Sequence, residues 1–442
     1  MSATTTKLLF AAAIAAGLSG CGVFKKSESR TPVLGERVAV LGAEVEVGID
    51  ATTAALPFAL PAARANEDWA QSGGNAPKAM GHLALSTDPQ LAWRQSIGEG
   101  SSTAARLISA PVVAGGRVFT IDTRGVVRAF DAASGSLQWA SGFASVEGDR
   151  ASLFGGGVVI GNGRVYATNG LGDVAALDAT NGGIVWSVRP AGPLRGAPTF
   201  DGTHVYVTSQ DNQLLALNPA NGQSEWSAAA ALEVAGVFGN AAPAAGRGTI
   251  VAGFSSGELN AYRYENGRLL WQDALSRTSV STSVSALSDI DADPVIDSGQ
   301  VIAVGQGGRM VALDILSGQR LWELSIAGTS TPAVAGDWVF VVSDRAQLLA
   351  IARETGRVRW INQLPRFKNE DKKRGPYYYE GPVLAGGKLW VASSEGALIE
   401  IDPDSGRFLR QRDMGEGFSL PPVVAGNALY LLGDKGTLFA LR

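Results

Sequence analysis

The chain has 442 residues, of which 45% are hydrophobic and 18% are charged, and its formal net charge at pH 7 is −4. That length exceeds what one hydrophobic core organises, so it indicates several domains or one array of repeats. The lack of a basic excess argues against nucleic acid as a partner. A single cysteine, Cys21, excludes a disulfide framework, and two histidines leave little material for a histidine-based metal site or catalytic base.

The N-terminus has the pattern of an export signal that ends in a lipid-attachment site. Lys7 precedes an apolar run over residues 8–18, which is too short to span a bilayer and fits the core of a signal peptide. Leu18-Ser19-Gly20-Cys21 resembles the lipobox of bacterial lipoproteins, in which the cysteine is acylated and becomes the first residue. The next residue is Gly22 and not the aspartate that retains such proteins in the inner membrane. The resemblance predicts a signal peptide over residues 1–20 and a lipid anchor at Cys21 on the periplasmic face of the outer membrane.

Two segments without periodicity follow the predicted anchor. Residues 21–66 are rich in Ala, Pro, Ser and Thr and are predicted to be a lipid-anchored tether. Residues 67–89 contain Trp69, Gly73-Gly74 and His82, again without a clear period. We expect this irregular segment to pack against the outside of the folded body.

From Gln90 onward the chain repeats one pattern, in which an apolar strand end is followed by a turn glycine and a tryptophan. Its first copy is Ala129–Trp139, and a seventh, weaker copy over Glu400–Arg410 has arginine at the tryptophan position. Successive turn glycines lie between 38 residues (Gly318 to Gly356) and 51 residues (Gly267 to Gly318) apart, a period typical of propeller blades. We interpret the tryptophans as packing residues that cover the seams between neighbouring repeats.

Each repeat is predicted to contain four strands, and the two ends of the array complete one another. Gln90–Ile97 resembles the final strand of a repeat, whereas Leu420–Arg442 supplies three strands and then stops. We therefore predict an all-β fold, an eight-bladed β-propeller of four-stranded blades over residues 90–442, closed by an N-terminal strand that completes the last blade. In the first blade the predicted strands are Ala110–Ala114, Arg117–Asp122, Val126–Asp131 and Ser136–Ala140.

The longest connections between predicted blades are candidate binding loops. Ser227–Asn240, Asp273–Asp291 and Asn362–Glu380 all link one blade to the next and so emerge on one face. The charged run Lys368–Arg374 within the third connection is interpreted as a solvated loop.

The aspartates at the end of the second connection allow three interpretations. Asp289-Ile290-Asp291-Ala292-Asp293 begins like a calcium loop, but Pro294 and Gln300 stand where glycine and glutamate are required. Ordinary turn aspartates that cap local backbone are a second interpretation. The third is a cluster of charge that attracts a basic surface on a partner.

The repeat resembles the tryptophan-docking motif of the pyrroloquinoline-quinone propeller superfamily, whose best-known members are quinone-dependent alcohol dehydrogenases. Those enzymes share a disulfide between adjacent cysteines and calcium-bound carboxylates, whereas this chain has only Cys21. Together with the lipobox, the repeat instead resembles the BamB family of outer-membrane protein assembly factors. This resemblance implies a non-catalytic scaffold lipoprotein of the β-barrel assembly machinery, without cofactor or metal.

The same resemblance implies which residues contact a partner. Leu287–Pro294 is similar to the family's Leu-Ser-Asp-Val-Asp-x-x-Pro segment, whose aspartates are implicated in docking to the POTRA domains of BamA. The family's second docking element is a Leu-Arg-Gly loop one blade earlier, where this chain has Val237-Phe238-Gly239; a Leu194-Arg195-Gly196 triplet occurs one further blade upstream. The implied partner-binding residues are Asp289, Asp291, Val237, Phe238, Leu194 and Arg195.

The predicted function is therefore to bind the BamA POTRA domains and other subunits of the machinery, with unfolded outer-membrane proteins as a further class of partner. One alternative is a periplasmic quinone- or sugar-binding enzyme that uses the central channel. It predicts titratable side chains that converge on the axis, and the predicted inner strands have almost none. An envelope adaptor for another complex is a further alternative.

Overall fold

The computed structural model describes residues 47–143, 156–232, 239, 241–275 and 288–442. The chain divides into two units, residues 1–44 and 45–442, and all described residues belong to the second. The predicted signal peptide, the predicted lipid-attachment site Cys21, and the candidate residues Val237 and Phe238 lie outside the described residues. No helix within the described ranges is long and apolar enough to cross a membrane. The short helix α1 (Ala51–Ala54) begins after Asp50, whose Oδ1 accepts a hydrogen bond from the Thr53 amide at 2.7 Å.

Eight antiparallel sheets of four strands form the ring, which confirms the predicted eight-bladed propeller. Within blades 1 to 7 the strands pair in chain order, from the inner strand beside the axis to the outer strand, whereas in blade 8 the outer strand comes from the start of the array. Strand β1 (Leu91–Ser96) belongs to the last blade. Blade 1 contains β2 (Val112–Ala114), β3 (Arg117–Ile121), β4 (Val126–Asp131) and β5 (Leu137–Gly142); blade 2 contains β6 (Val158–Gly161), β7 (Arg164–Thr168), β8 (Val174–Asp178) and β9 (Ile184–Val188); blade 3 contains β10 (Thr199–Phe200), β11 (Val205–Thr208), β12 (Gln213–Leu217) and β13 (Ser224–Ala229); blade 4 contains β14 (Ala244–Gly246), β15 (Thr249–Gly253), β16 (Glu258–Arg263) and β17 (Leu269–Ala274).

The ring closes where the two ends of the array meet, as predicted. In blade 8, β1 pairs antiparallel with the last strand of the chain, with Leu91 opposite Leu441 and Ser96 opposite Thr437.

Blade 5 contains β18 (Val295–Asp297), β19 (Gln300–Val304), β20 (Met310–Asp314) and β21 (Arg320–Leu324); blade 6 contains β22 (Ala333–Ala335), β23 (Trp338–Val342), β24 (Gln347–Ala352) and β25 (Val358–Gln363); a two-stranded hairpin follows, β26 (Phe367–Asn369) and β27 (Arg374–Pro376); blade 7 contains β28 (Tyr379–Ala385), β29 (Lys388–Ser393), β30 (Ala397–Ile401) and β31 (Phe408–Asp413); blade 8 contains β32 (Val423–Ala425), β33 (Ala428–Leu432) and β34 (Thr437–Leu441) beside β1.

The tryptophans of the repeat pack across the seams between blades. Trp271 of blade 4 donates its indole N–H to the carbonyl of Ile315 in blade 5 at 2.8 Å, and its ring covers Gly318. Gly318 has φ +70°, and a Cβ on it would lie 2.5 Å from that ring, so only glycine fits the turn. The same indole hydrogen bond, from one blade to a carbonyl of the next, joins seven seams and involves Trp93, Trp139, Trp186, Trp226, Trp271, Trp322 and Trp360.

The eighth seam, between blades 7 and 8, is closed by charged side chains instead. Glu400 lies opposite Arg410, at the positions that Ala312 and Trp322 occupy in blade 5. The carboxylate of Glu400 is 1% exposed and accepts from Lys388 at 2.6 Å, from Arg410 at 2.8 Å and from Arg412 at 3.0 Å. Both arginines also reach Asp88, just ahead of β1 in blade 8. Ion pairs therefore replace the tryptophan at the seam beside the chain ends.

The irregular segment after the predicted tether lies along the axial side of the ring. Its backbone pairs with the free edges of inner strands: Trp69 with Val113 of blade 1, and Leu83 with Leu384 of blade 7. Further hydrogen bonds join it to blades 2, 3, 4, 5 and 8, through Ala70–Ile160, Gln71–Phe200, Ala76–Ala245, Pro77–Ile296 and Asn66–Gly426. We call residues 66–85 the axial segment. Its position differs from the outside location expected from the sequence, because its backbone satisfies inner-strand edges that would otherwise have no partner.

The described residues ahead of the axial segment contact blade 6. The amide of Asp50 donates to the carbonyl of Val358 at 2.9 Å, beside an isolated parallel bridge between Ile49 and Val358. The ring of Phe58 stacks on Trp338 with centroids 5.4 Å apart, and the guanidinium of Arg359 lies 5.2 Å from both centroids. Residues 47–66, which were predicted to belong to the tether, thus include a stretch that packs on the propeller.

Candidate partner-binding site

Three connections between blades meet on one face of the propeller. Each runs from an outer strand to the inner strand of the next blade, and we call the face where they emerge the loop face. Arg195 precedes β10, Gly239 precedes β14, and Asp289 and Asp291 precede β18. Because β10, β14 and β18 are inner strands of three consecutive blades, the ends of these connections converge near the axis.

The structure joins Arg195 to both candidate aspartates across a whole intervening blade. Its Nη2 lies 2.6 Å from Oδ1 of Asp289 and 3.5 Å from Oδ1 of Asp291. The side chains of the arginine and the two aspartates are only 3%, 1% and 6% exposed. The displaced Leu-Arg-Gly triplet and the aspartate segment are therefore parts of one cluster.

Side chains from the turns between the second and third strands of blades 3, 4 and 5 complete this cluster. Oδ1 of Asn212 accepts from Nη1 of Arg195 at 3.4 Å and from the hydroxyl of Ser255 at 2.9 Å. Gln306 donates its side-chain amide to Asp291, and its backbone amide donates to the carbonyl of Asp289 at 2.9 Å. We call Arg195, Asn212, Asp289, Asp291 and Gln306 the ion-pair cluster.

Gly239 is the point where the middle connection passes over this cluster. A Cβ on Gly239 would collide with the carboxylate of Asp291 and the guanidinium of Arg195. Any larger residue there would displace the ion pair or the connection. Sequence reasoning did not single out Gly239, Asn212 or Gln306. The glycine alone had a signal, since it ends the Val237-Phe238-Gly239 triplet aligned with the family's Leu-Arg-Gly loop.

The charged groups of the ion-pair cluster interact mainly with one another, because they are almost completely buried. Burial raises the pKa of Asp291, and the neighbouring charge of Asp289 raises it further, whereas Arg195 and the Gln306 amide oppose this shift. Removing one member of such a buried pair leaves an uncompensated charge, which is strongly destabilising. Leu194 is fully buried beside it and bridges Ser209 of blade 3. The cluster thus joins the described ends of the connections before blades 3 and 5, and its charged side chains are almost entirely shielded from solvent.

Two other titratable side chains near the axis, Lys78 and Asp293, form hydrogen bonds with residues of the axial segment. The ammonium of Lys78 donates to the Ser72 carbonyl at 2.9 Å and to the Thr199 hydroxyl at 3.1 Å, and burial lowers the pKa of Lys78 to about 8. Asp293 accepts from the Ser72 hydroxyl at 2.6 Å and from the Ala242 amide at 2.7 Å. In the described ranges no group of three or more His, Cys, Asp or Glu residues could hold a metal ion.

Comparison with known proteins identifies relatives over most of the chain. A family model described as outer membrane protein assembly factor BamB matches residues 80–142 and 123–362. BamB from Shigella dysenteriae is 30% identical over 396 residues, which covers 80% of this chain and 88% of that protein.

Solved structures share the same fold. The crystal structure of BamB from Moraxella catarrhalis matches with a TM-score of 0.68 at 19% identity and covers 80% of this chain and 99% of that chain. Quinohemoprotein alcohol dehydrogenase from Comamonas testosteroni matches with a TM-score of 0.67 at 14% identity, over 85% and 80% of the two chains. At these identities the two structures establish the propeller fold alone.

Proposed function

The chain belongs to the family of outer membrane protein assembly factor BamB, and we propose that it is a non-catalytic scaffold of the machinery that assembles outer-membrane β-barrel proteins. In this proposal Cys21 carries the lipid anchor, and the propeller lies at the periplasmic face of the outer membrane. Its principal partner is the set of POTRA domains of BamA, held on the loop face. Unfolded outer-membrane proteins and other subunits of the machinery are further partners.

One observation carries the proposed binding site. The pair between Arg195 and Asp289, at 2.6 Å, ties together connections that precede blades 3 and 5, with Gly239 of the connection before blade 4 packed against it. One buried cluster joins the described ends of these three connections, and such pre-organisation lowers the entropic cost of binding a partner. The aspartates and Arg195 then act by positioning the connections, and the buried Leu194 supports them from beneath. Val237 and Phe238 are the proposed apolar contacts.

The experiment that tests this proposal is calorimetric titration of the purified full-length chain, in detergent, with the POTRA domains of BamA from the same organism. We expect Arg195→Ala to weaken binding at least tenfold, equivalent to about 1.4 kcal/mol, because the loops lose their shared cation. The matched control is Arg128→Ala, which removes a 2.6 Å pair with Asp122 inside blade 1. Binding by that control should equal wild type.

The two other outcomes of this titration distinguish the proposed scaffold function from the proposed binding site. If wild type and Arg195→Ala bind equally, the ion-pair cluster is not the site, although the scaffold function stands. If wild type does not bind the POTRA domains at all, the scaffold function as proposed is wrong.

A further inference from the structure

A basic hairpin stands on the loop face, away from the ion-pair cluster. It comprises residues 366–376, with strands β26 and β27, and connects blade 6 to blade 7. These strands pair only with each other. Five cations and two acids lie between residues 366 and 374, a local net charge of +3 in a chain whose total is −4. Positive charge is thus concentrated on one exposed element.

The acids of the hairpin, Glu370 and Asp371, offset only part of the positive charge at its tip. Oε1 of Glu370 accepts from the backbone amides of Arg366 at 2.8 Å and Phe367 at 3.1 Å, so this carboxylate is used to shape the turn. Lys368 lies 3.3 Å from Glu395 in an exposed pair. For the side chains of Lys372, Lys373 and Arg374 there is no ion pair or hydrogen bond with any described residue.

The hairpin is held in a defined conformation. The amide of Lys372 donates to Oδ1 of Asn369 at 2.9 Å, and the amide of Tyr377 donates to the carbonyl of Arg366 at 2.9 Å. At its base the hydroxyl of Tyr379 donates to the carbonyl of Pro365 at 2.9 Å, while Tyr378 is 64% exposed. Arg374 and the exposed Tyr378 belong to residue types that are enriched in interfaces, while Lys372 and Lys373 add exposed positive charge to the same ordered element.

We propose that the basic hairpin is a second docking element, which binds an acidic protein surface on the partner held by the loop face. This inference rests on the proposed function, because it takes the same partner and the same face. Free cations on the rim of an interface accelerate association and make affinity depend on salt. Lys372, Lys373 and Arg374 supply that charge, and Tyr378 supplies apolar contact area.

The position of the hairpin favours the partner already proposed for the loop face. Strand β25 ends at Gln363 on that face, just before the hairpin, and the ion-pair cluster lies on the same face. One protein held on the loop face can therefore contact both elements, and an anionic membrane surface is the competing ligand that the vesicle measurement below distinguishes.

The test compares a charge-reversed hairpin, Lys372→Glu/Lys373→Glu/Arg374→Glu, with a matched control of the same charge change. The control is Arg94→Glu/Arg268→Glu/Arg407→Glu, three exposed residues on an outer strand and on turns of the opposite face. Full-length chains in detergent are titrated with BamA POTRA domains at about 50 mM and about 300 mM NaCl, where screening of exposed charges differs. Vesicles containing phosphatidylglycerol serve as the membrane probe.

We expect the hairpin variant to bind the POTRA domains about tenfold more weakly at low salt and to lose most of the salt dependence of wild type, while the control variant keeps both. Equal binding by wild type and the hairpin variant would overturn the inference and leave the scaffold function intact. Loss of vesicle binding with unchanged POTRA binding would also overturn it, in favour of a membrane contact. Failure of wild type to bind the POTRA domains would remove the proposed function, and this inference with it.

Discussion

Single glycines determine how closely neighbouring blades approach. Gly318 combines a φ of +70° with a ring of Trp271 where its Cβ would be, whereas Gly163 has φ +72° with no atom within 4 Å of a Cβ. Replacing Gly163 with alanine should therefore cost only the left-handed backbone, about 1–2 kcal/mol. Gly318→Ala should cost that amount plus about 1–3 kcal/mol for the displaced tryptophan. Urea unfolding of both variants measures the difference, and equal losses would show that the seam tolerates a methyl group.

At the scale of the element, the axial segment contains a buried amine whose titration should be visible in stability. Below about pH 8 the amine of Lys78 is charged in both states, and between that value and the ordinary 10.5 only the unfolded chain keeps the proton. Stability should thus rise with pH across this window. Lys78→Met should abolish the rise between about pH 8 and about pH 9.5, while the exposed Lys435→Met keeps it. Urea midpoints provide the measurement; a rise that persists in Lys78→Met would assign it to another group.

Elements with a local signal were predictable from the sequence, and those that depend on ring geometry were not. Strand β4 has its predicted bounds, Val126–Asp131, because alternating apolar residues and a turn glycine specify it locally. The axial segment has no periodicity, since it is held largely by backbone hydrogen bonds. The contact of Arg195 with Asp289 joins residues 94 positions apart, which no spacing rule indicates. By contrast, the sequence shows directly that Glu400 and Arg410 stand in the seventh repeat where other repeats have alanine and tryptophan. It does not show that these side chains form ion pairs at the seam.

At the scale of the whole molecule, stability should depend on the seam that ion pairs close. Glu400 is the common acceptor of Lys388, Arg410 and Arg412. Glu400→Ala leaves these cations without their buried partner, and we expect a loss of about 3–5 kcal/mol. The control is Glu354→Ala, whose exposed pair with Arg353 should contribute less than about 1 kcal/mol. Hydrogen exchange should show the increased opening first in β31 and β34; uniform exchange around the ring would contradict a special role for this seam.

The pairing of β1 with β34 also determines when the ring can close during synthesis of the chain. A chain is synthesised from its N-terminus, so the strand at Leu91 exists long before its partner at Leu441. Through most of synthesis β1 has no neighbour in its blade, and Trp93 can already dock on blade 1 before blade 8 exists. Contacts between such distant residues form slowly, because the intervening chain must be closed into a loop. Among the strands of the ring, β34 is made after the others and joins β33 to β1, so a chain that lacks β34 would keep an open ring with two unpaired blade edges.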